Sequence, residues 1–135
     1  MAHNEMFDDG DPLLVRVREI ALAFPGAAEK VSHGRPAFYT KKVFAYYGGS
    51  LRRGQGDWEQ HPQSVMVLLD TDERLSLIDD PRTYVPAYLG PSGWLGFDLR
   101  GQEDLEEAAE LIDSSVRNTA AVRLTTELDA QYEQE

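Results

Sequence analysis

Lys30, Arg35, Lys41, Lys42, Arg52 and Arg53 are the residues most able to do chemistry by type and spacing. They lie between Glu29 and Asp57 with no acid among them, a local charge of +6 in a chain of formal net charge −11. Cations at that density neutralise phosphate or other anions, and the interleaved Tyr39, Tyr46 and Tyr47 offer ring faces to sugar or base. The plainer alternative is a solvated hairpin edge, where lysine discourages strand-to-strand aggregation and the tyrosines serve the core. On the residues alone the plainer reading is the commoner. If Arg35, Lys41, Lys42, Arg52 and Arg53 all met phosphates, log affinity would fall against log salt with a slope of roughly −4 to −5. Because the whole-chain field repels polyanions, such contact is expected to be weak and salt-sensitive.

Other constellations carry less. Ser32-His33 sets a hydroxyl beside an imidazole, but neighbours on extended chain point to opposite faces, so a local loop bond is the better account. With only His3, His33 and His61 in the chain, no spacing marks a hydrolase triad. Gly48-Gly49-Ser50 through Gly54-Gln55-Gly56 has the glycine of a phosphate loop, yet no helix opens after it to hold the anion. A shallow pocket would draw on His33, Tyr88 and Trp94; for Trp94, covering a neighbouring element is the usual fate. No pocket joins these residues to ionisable groups in the sequence pattern, so we expect no enzyme, no cofactor and no metal centre.

Composition sets the frame for these side chains. The chain has 135 residues, 41% of them hydrophobic, with thirteen aromatics as 5 Phe, 6 Tyr and 2 Trp. That suffices for one domain with a core of its own and leaves no room for a second. The absence of cysteine excludes disulfides, thiolate nucleophiles and cysteine-ligated metals. The opening MAHNEMFDDGD lacks the basic and apolar regions of a signal peptide, and no apolar run approaches a membrane span, so a cytoplasmic protein with no membrane contact is expected.

The elements that must position the candidates follow from periodicity. Asp11-Pro12 starts a helix carrying Leu13, Leu14, Val17, Ile20, Ala21 and Phe24, which Pro25-Gly26 stops. Residues 36–48 read as a hairpin turning at Thr40-Lys41-Lys42. Residues 48–62 have the glycine content and polarity of a mobile loop. SVMVLLD, residues 64–70, is apolar on both faces, as in a central strand, and a short helix capped by Asp70 follows, ending at Asp80-Pro81. Tyr84 to Leu89 and Trp94 to Leu99 read as a strand pair about Gly90-Pro91-Ser92-Gly93, with Leu95, Phe97 and Leu99 on one face and Trp94, Gly96 and Asp98 on the other. Glu103 to about Arg117 is an amphipathic helix with Glu106, Glu107, Glu110 and Asp113 on its back. Val122, Leu124, Leu128 and Tyr132 keep partial helical spacing, for a last helix or a frayed tail.

This order, and the stretches FPGAAEKVSHGRPAF (24–38), KKVFAYY (41–47) and VPAYLGPSGWLGFDL (85–99), resemble the bacterial MmcQ/YjbR family from helix one to about Val122. The third stretch is the most specific. The resemblance implies a frataxin-like α/β sandwich, in α+β terms an antiparallel sheet packed against N- and C-terminal helices, and a DNA-binding role through a double wing of β-hairpins. It also implies acidic-surface metal binding as a distant alternative, against which Glu106, Glu107, Glu110 and Asp113 are simply a solvated helix face.

The expectations combine as follows. Residues 1–10 form a flexible N-terminus, 11–124 a single domain and 125–135 an acidic tail. The leading function is weak DNA binding by Arg35, Lys41, Lys42, Arg52, Arg53 and Tyr46. The alternative is a non-catalytic protein- or small-ligand-binding module, self-associating through its basic hairpin and acidic helix.

Overall fold

The structure, a computed structural model, describes the backbone of residues 7–133 and the side chains of residues 7–121. Helix α1 (Pro12–Leu22) begins where expected. The Asp11 carboxylate accepts from the Leu13 amide at 3.0 Å, and Pro12 occupies the first helical turn, where its missing N–H is no loss. The buried stripe Leu13, Leu14, Val17 and Ala21 sets the face that α1 turns to the sheet.

Six antiparallel strands follow: β1 (Ala28–Ser32), β2 (Arg35–Tyr39), β3 (Val43–Gly54), β4 (Asp57–Leu68), β5 (Thr83–Tyr84) and β6 (Trp94–Asp98), in the spatial order β1-β2-β3-β4-β6-β5. Helix α2 (Thr71–Leu77) opens with the Asp70 side chain accepting from the Glu73 amide at 2.8 Å. Helix α3 (Leu105–Glu133) ends the chain, and α1 and α3 lie on one side of the sheet. The α+β class with an antiparallel sheet against N- and C-terminal helices is therefore the architecture present. Residues 1–6 lie outside the described residues, as do the side chains of the expected tail. The backbone continues as one helix past Arg117 rather than breaking into two.

Three expectations need correcting. Residues 48–62 are not a loop: β3 and β4 pair from Ala45↔Val67 to Gly54↔Asp57, turning at Gln55-Gly56. Glycine here marks close approach rather than flexibility, since a Cβ on Gly49 would collide with the Tyr84 hydroxyl and the Met66 side chain. Second, residues 28–32, to which periodicity assigns no element, form a strand. Its turn to β2 uses His33 (φ 54°) and Gly34 (φ 80°), the paired left-handed residues of a tight hairpin, with His33 where Asn is usual. Third, of Tyr84 to Leu89 only Tyr84 stays in the sheet. Pro86 has no N–H to give a ladder; the chain instead crosses β3, where the Ala87 amide donates to the Ser50 carbonyl at 2.9 Å, and makes a short turn at Gly90–Ser92.

Strand alternation divides the sheet into two faces. Toward the helices point Phe38, Tyr47, Val65, Val67, Leu95 and Phe97, at most 1% exposed, closed over by Leu14, Val17 and Ile112. Away from them lies a smaller cluster of Met66, Tyr84 and Trp94 with Tyr46, Leu51 and Leu89. The expected division of Leu95, Phe97 and Leu99 from Trp94 and Gly96 is thus the observed one. At the rim of the helix-covered face Arg82 reaches Asp80 (2.8 Å), Glu107 (3.0 Å) and Asp104 (3.3 Å), with its guanidinium 4.7 Å from the Phe97 ring centroid. Hydrogen bonds from Arg82 pull the Asp80 carboxyl down to about 2. Among the described residues no helix is long and apolar enough to cross a membrane.

Candidate functional site

The six cations do not form one patch. Lys41 and Lys42 are exposed on the β2–β3 turn, whereas Arg52 and Arg53 are exposed near the β3–β4 turn. These turns cap opposite ends of β3, and ten residues of strand from Lys42 to Arg52 separate them by on the order of 30 Å. Arg53 is ion-paired with Glu59. Arg52 donates to the Gly54 carbonyl at 3.2 Å and lies 5.8 Å from the Trp58 ring centroid. Lys30 sits 5.0 Å from the Tyr39 ring centroid, near the sheet edge.

Arg35 goes elsewhere altogether. It opens β2, is 8% exposed, and folds over Gly48, where a Cβ would stand 2.5 Å from the guanidinium. Among the described residues its side-chain hydrogen-bond partner is the amide oxygen of Gln60, at 2.9 Å, and no carboxylate lies within ion-pair distance. Burial lowers its pKa from the ordinary arginine value, an effect opposed by the nearby Tyr84 phenol. A buried arginine is normally matched by an anion of its own chain; among the described residues this one is not.

The guanidinium instead lines a cavity of about 430 Å³ on the open face. Gly49 and Met66 form its floor, Tyr46 one wall, Leu89 and Tyr88 the wall supplied by the crossing segment, and the β1–β2 turn its remaining edge through Ser32 and His33. The cavity exists because Gly48 and Gly49 carry no side chains and because the segment after Tyr84 is anchored on Ser50 rather than laid along the sheet. Burial raises the Tyr46 hydroxyl, an effect reduced by the Ser32 hydroxyl. Beneath it the Tyr84 hydroxyl is hydrogen-bonded to the Ser64 hydroxyl at 2.7 Å and pushed well up by burial. His61 stacks on Tyr84 at 3.9 Å between centroids, with its ring nitrogens 2.7 Å from Asp98 and 2.6 Å from Glu59. That ring is fully engaged in holding the floor.

Of the residues singled out for a pocket, His33 and Tyr88 line it, whereas Trp94 packs edge-on against Tyr46 at 5.3 Å and supports the wall from behind. Of those singled out for phosphate contact, Arg35 and Tyr46 belong to the pocket, and only Lys41, Lys42, Arg52 and Arg53 remain on the surface. Sequence reasoning missed Gly49, Met66 and Leu89 as lining. The signal was the doubled glycine at 48–49 opposite a strand, read as loop composition. Among the described residues no group of three or more His, Asp or Glu is placed to hold a metal ion.

An open antiparallel sheet, with helices on one face and a one-arginine cavity on the other, defines an α+β protein. The YjbR family model matches residues 22–117, from the end of α1 into α3, and the chain belongs to that family. No significant match was found among curated proteins or among solved structures.

Proposed function

We propose that this chain is a non-catalytic binding module whose site is the Arg35 cavity and whose ligand is a small organic anion. The observation that carries this reading is the buried guanidinium, without a carboxylate partner among the described residues, facing a cavity otherwise walled by Tyr46, Met66 and Leu89. Placing an arginine there costs desolvation that folding alone does not repay, and an anionic ligand would recover it through charge-assisted hydrogen bonds. At about 430 Å³ the cavity falls in the range of roughly 300–1,000 Å³ that small-molecule pockets occupy. Among the described residues His33 makes no side-chain hydrogen bond to the Ser32 or Ser50 hydroxyl that lines the cavity with it, which favours binding over turnover. Titration of acetate or benzoate into isotope-labelled protein tests this: amides of Gly49, Ser50 and Leu89 should shift, and Arg35→Gln should weaken the response about tenfold or more. Unperturbed cavity amides at high millimolar anion would sink it.

Nucleic-acid binding is the second reading, favoured by the exposed Lys41 and Lys42 at a hairpin tip, neither of them ion-paired among the described residues. It would use that tip, with Arg52 at the far end of β3 as a separate contact, rather than one continuous patch. With two or three phosphates engaged in a chain of net charge −11, the salt slope would be about −2 to −3 rather than −4 to −5. Duplex retention at low salt that is lost in Lys41→Glu/Lys42→Glu and kept in Arg35→Gln would support this reading over the first.

A further inference from the structure

Tyr88 is at odds with folding in two ways. Its φ of 65° is in the left-handed region that a bulky residue rarely adopts, and its side chain is 79% exposed. Neither strain nor an exposed ring helps the fold, and glycine would relieve both. The ring is nevertheless held in place: it lies 5.7 Å from Trp58, tilted by 32°, and Trp58 is itself 39% exposed under Arg52. Tyr88 also lines the cavity that contains Arg35. The site therefore has two unlike ends, a cation inside and a braced aromatic face at the rim.

Resting on the cavity reading above, we infer that the ligand is a monocarboxylate bearing a planar ring, its carboxylate on Arg35 and its ring against Tyr88. The charge count selects a carboxylate over a phosphate ester. The cavity has one arginine and no lysine, its other polar lining being hydroxyls and His33, so the single guanidinium would leave one charge of a phosphate dianion unmatched. A carboxylate is met fully by a single planar fork. The chain's net charge of −11 also disfavours each further negative charge on an approaching ligand. Ring selectivity comes from Tyr88, because an offset or edge-on aromatic contact adds to simple area burial.

The test is an amide chemical-shift titration of the full-length chain with four probes: phenylacetate, cyclohexylacetate, phenylacetamide and phenyl phosphate. Phenylacetate should bind about 3–10-fold more tightly than cyclohexylacetate. Phenylacetamide, which lacks the charge, should lose about tenfold or more, as should both acids with Arg35→Gln and with Arg35→Met. Tyr88→Gly, which suits the local backbone, should erase the preference for the planar ring by weakening phenylacetate more than cyclohexylacetate, and unfolding midpoints verify that every variant is folded. Arg35-dependent binding of both acids without ring preference overturns the inference and leaves the cavity reading standing. Tighter binding of phenyl phosphate than of phenylacetate overturns the carboxylate assignment. No response of cavity amides to any probe overturns the inference and the cavity reading together.

Discussion

One strand of this sheet serves two faces that have been treated differently. Along β4, Val65 and Val67 point to the helices and are fully buried, while Ser64 and Met66 point the other way and are buried beneath Tyr84, on the face that also carries the cavity. The helix-covered face is filled with Phe38, Phe97 and Leu95 against Leu14 and Ile112. The open face spends positions on Gly48, Gly49 and Gly96, packs a charged guanidinium without a counter-ion among the described residues, and leaves Tyr88 exposed. Period-two alternation lets a single sequence satisfy folding on odd positions and keep a cavity on even ones. The two faces should therefore respond oppositely to substitution.

Phe97→Ala probes the closed face at its centre and has the largest expected effect. The ring is fully buried and lies under the Arg82 guanidinium, so its loss leaves a cavity among fixed neighbours and should destabilise by about 3–5 kcal/mol in denaturant unfolding. A loss under about 1 kcal/mol would mean that this face is not the folding core. Gly49→Ala comes next and attacks the open face by addition. Its Cβ would press on the Tyr84 hydroxyl and Met66, costing roughly 1–3 kcal/mol by overpacking and narrowing the cavity at once.

The rim network gives a pH signature belonging to the closed face. Asp80 is held near 2 against an ordinary value of 3.8, and Asp104 is lowered in the same direction by Arg100 and Arg82. A depressed folded-state pKa contributes stability that is complete above the unfolded value and lost as pH falls through the folded one. Stability should therefore hold above about pH 4 and decline toward pH 2, by about 1 kcal/mol for Asp80 given its partial exposure. Asp80→Asn should flatten that part of the curve; an unchanged acid limb would remove the network from the account.

How much of this was legible in the sequence follows the same division. The closed face announced itself: the stripe Leu13, Leu14, Val17 and Ala21, the alternation of Leu95, Phe97 and Leu99, and the caps at Asp11 and Asp70 are local patterns with local causes. The open face did not, because its cavity depends on which residues glycine permits to approach. Gly48 and Gly49 look like loop residues until Arg35 and Tyr84, from β2 and β5, are brought over them. The clustering of cations along the chain misled for a related reason: β3 carries its two ends far apart and turns Arg35 inward. Ser32-His33-Gly34 read as a loop, and His33-Gly34 is the turn, but the strand β1 that it closes carried too weak an alternation to be recognised.

Arg35→Met has the smallest expected effect on stability and sharpens the comparison most, because what matters is its sign relative to Phe97→Ala. Both side chains are buried, Arg35 with 8% of its surface exposed and Phe97 with none. Removing Phe97 discards apolar contacts, whereas removing Arg35 discards a desolvated charge whose partner, Gln60, is exposed enough for water to take its place. Methionine fills much of the arginine stem's volume among Tyr46, Gly49 and Met66, so the exchange should leave stability within about 1 kcal/mol of the parent and can raise it. Unfolding midpoints of the two variants, taken in the same buffer without added organic anion, make the comparison; added benzoate should then raise the midpoint of the parent and not that of Arg35→Met. A loss for Arg35→Met as large as that for Phe97→Ala would make the guanidinium a structural element of the sheet, and the open face a second core rather than a site.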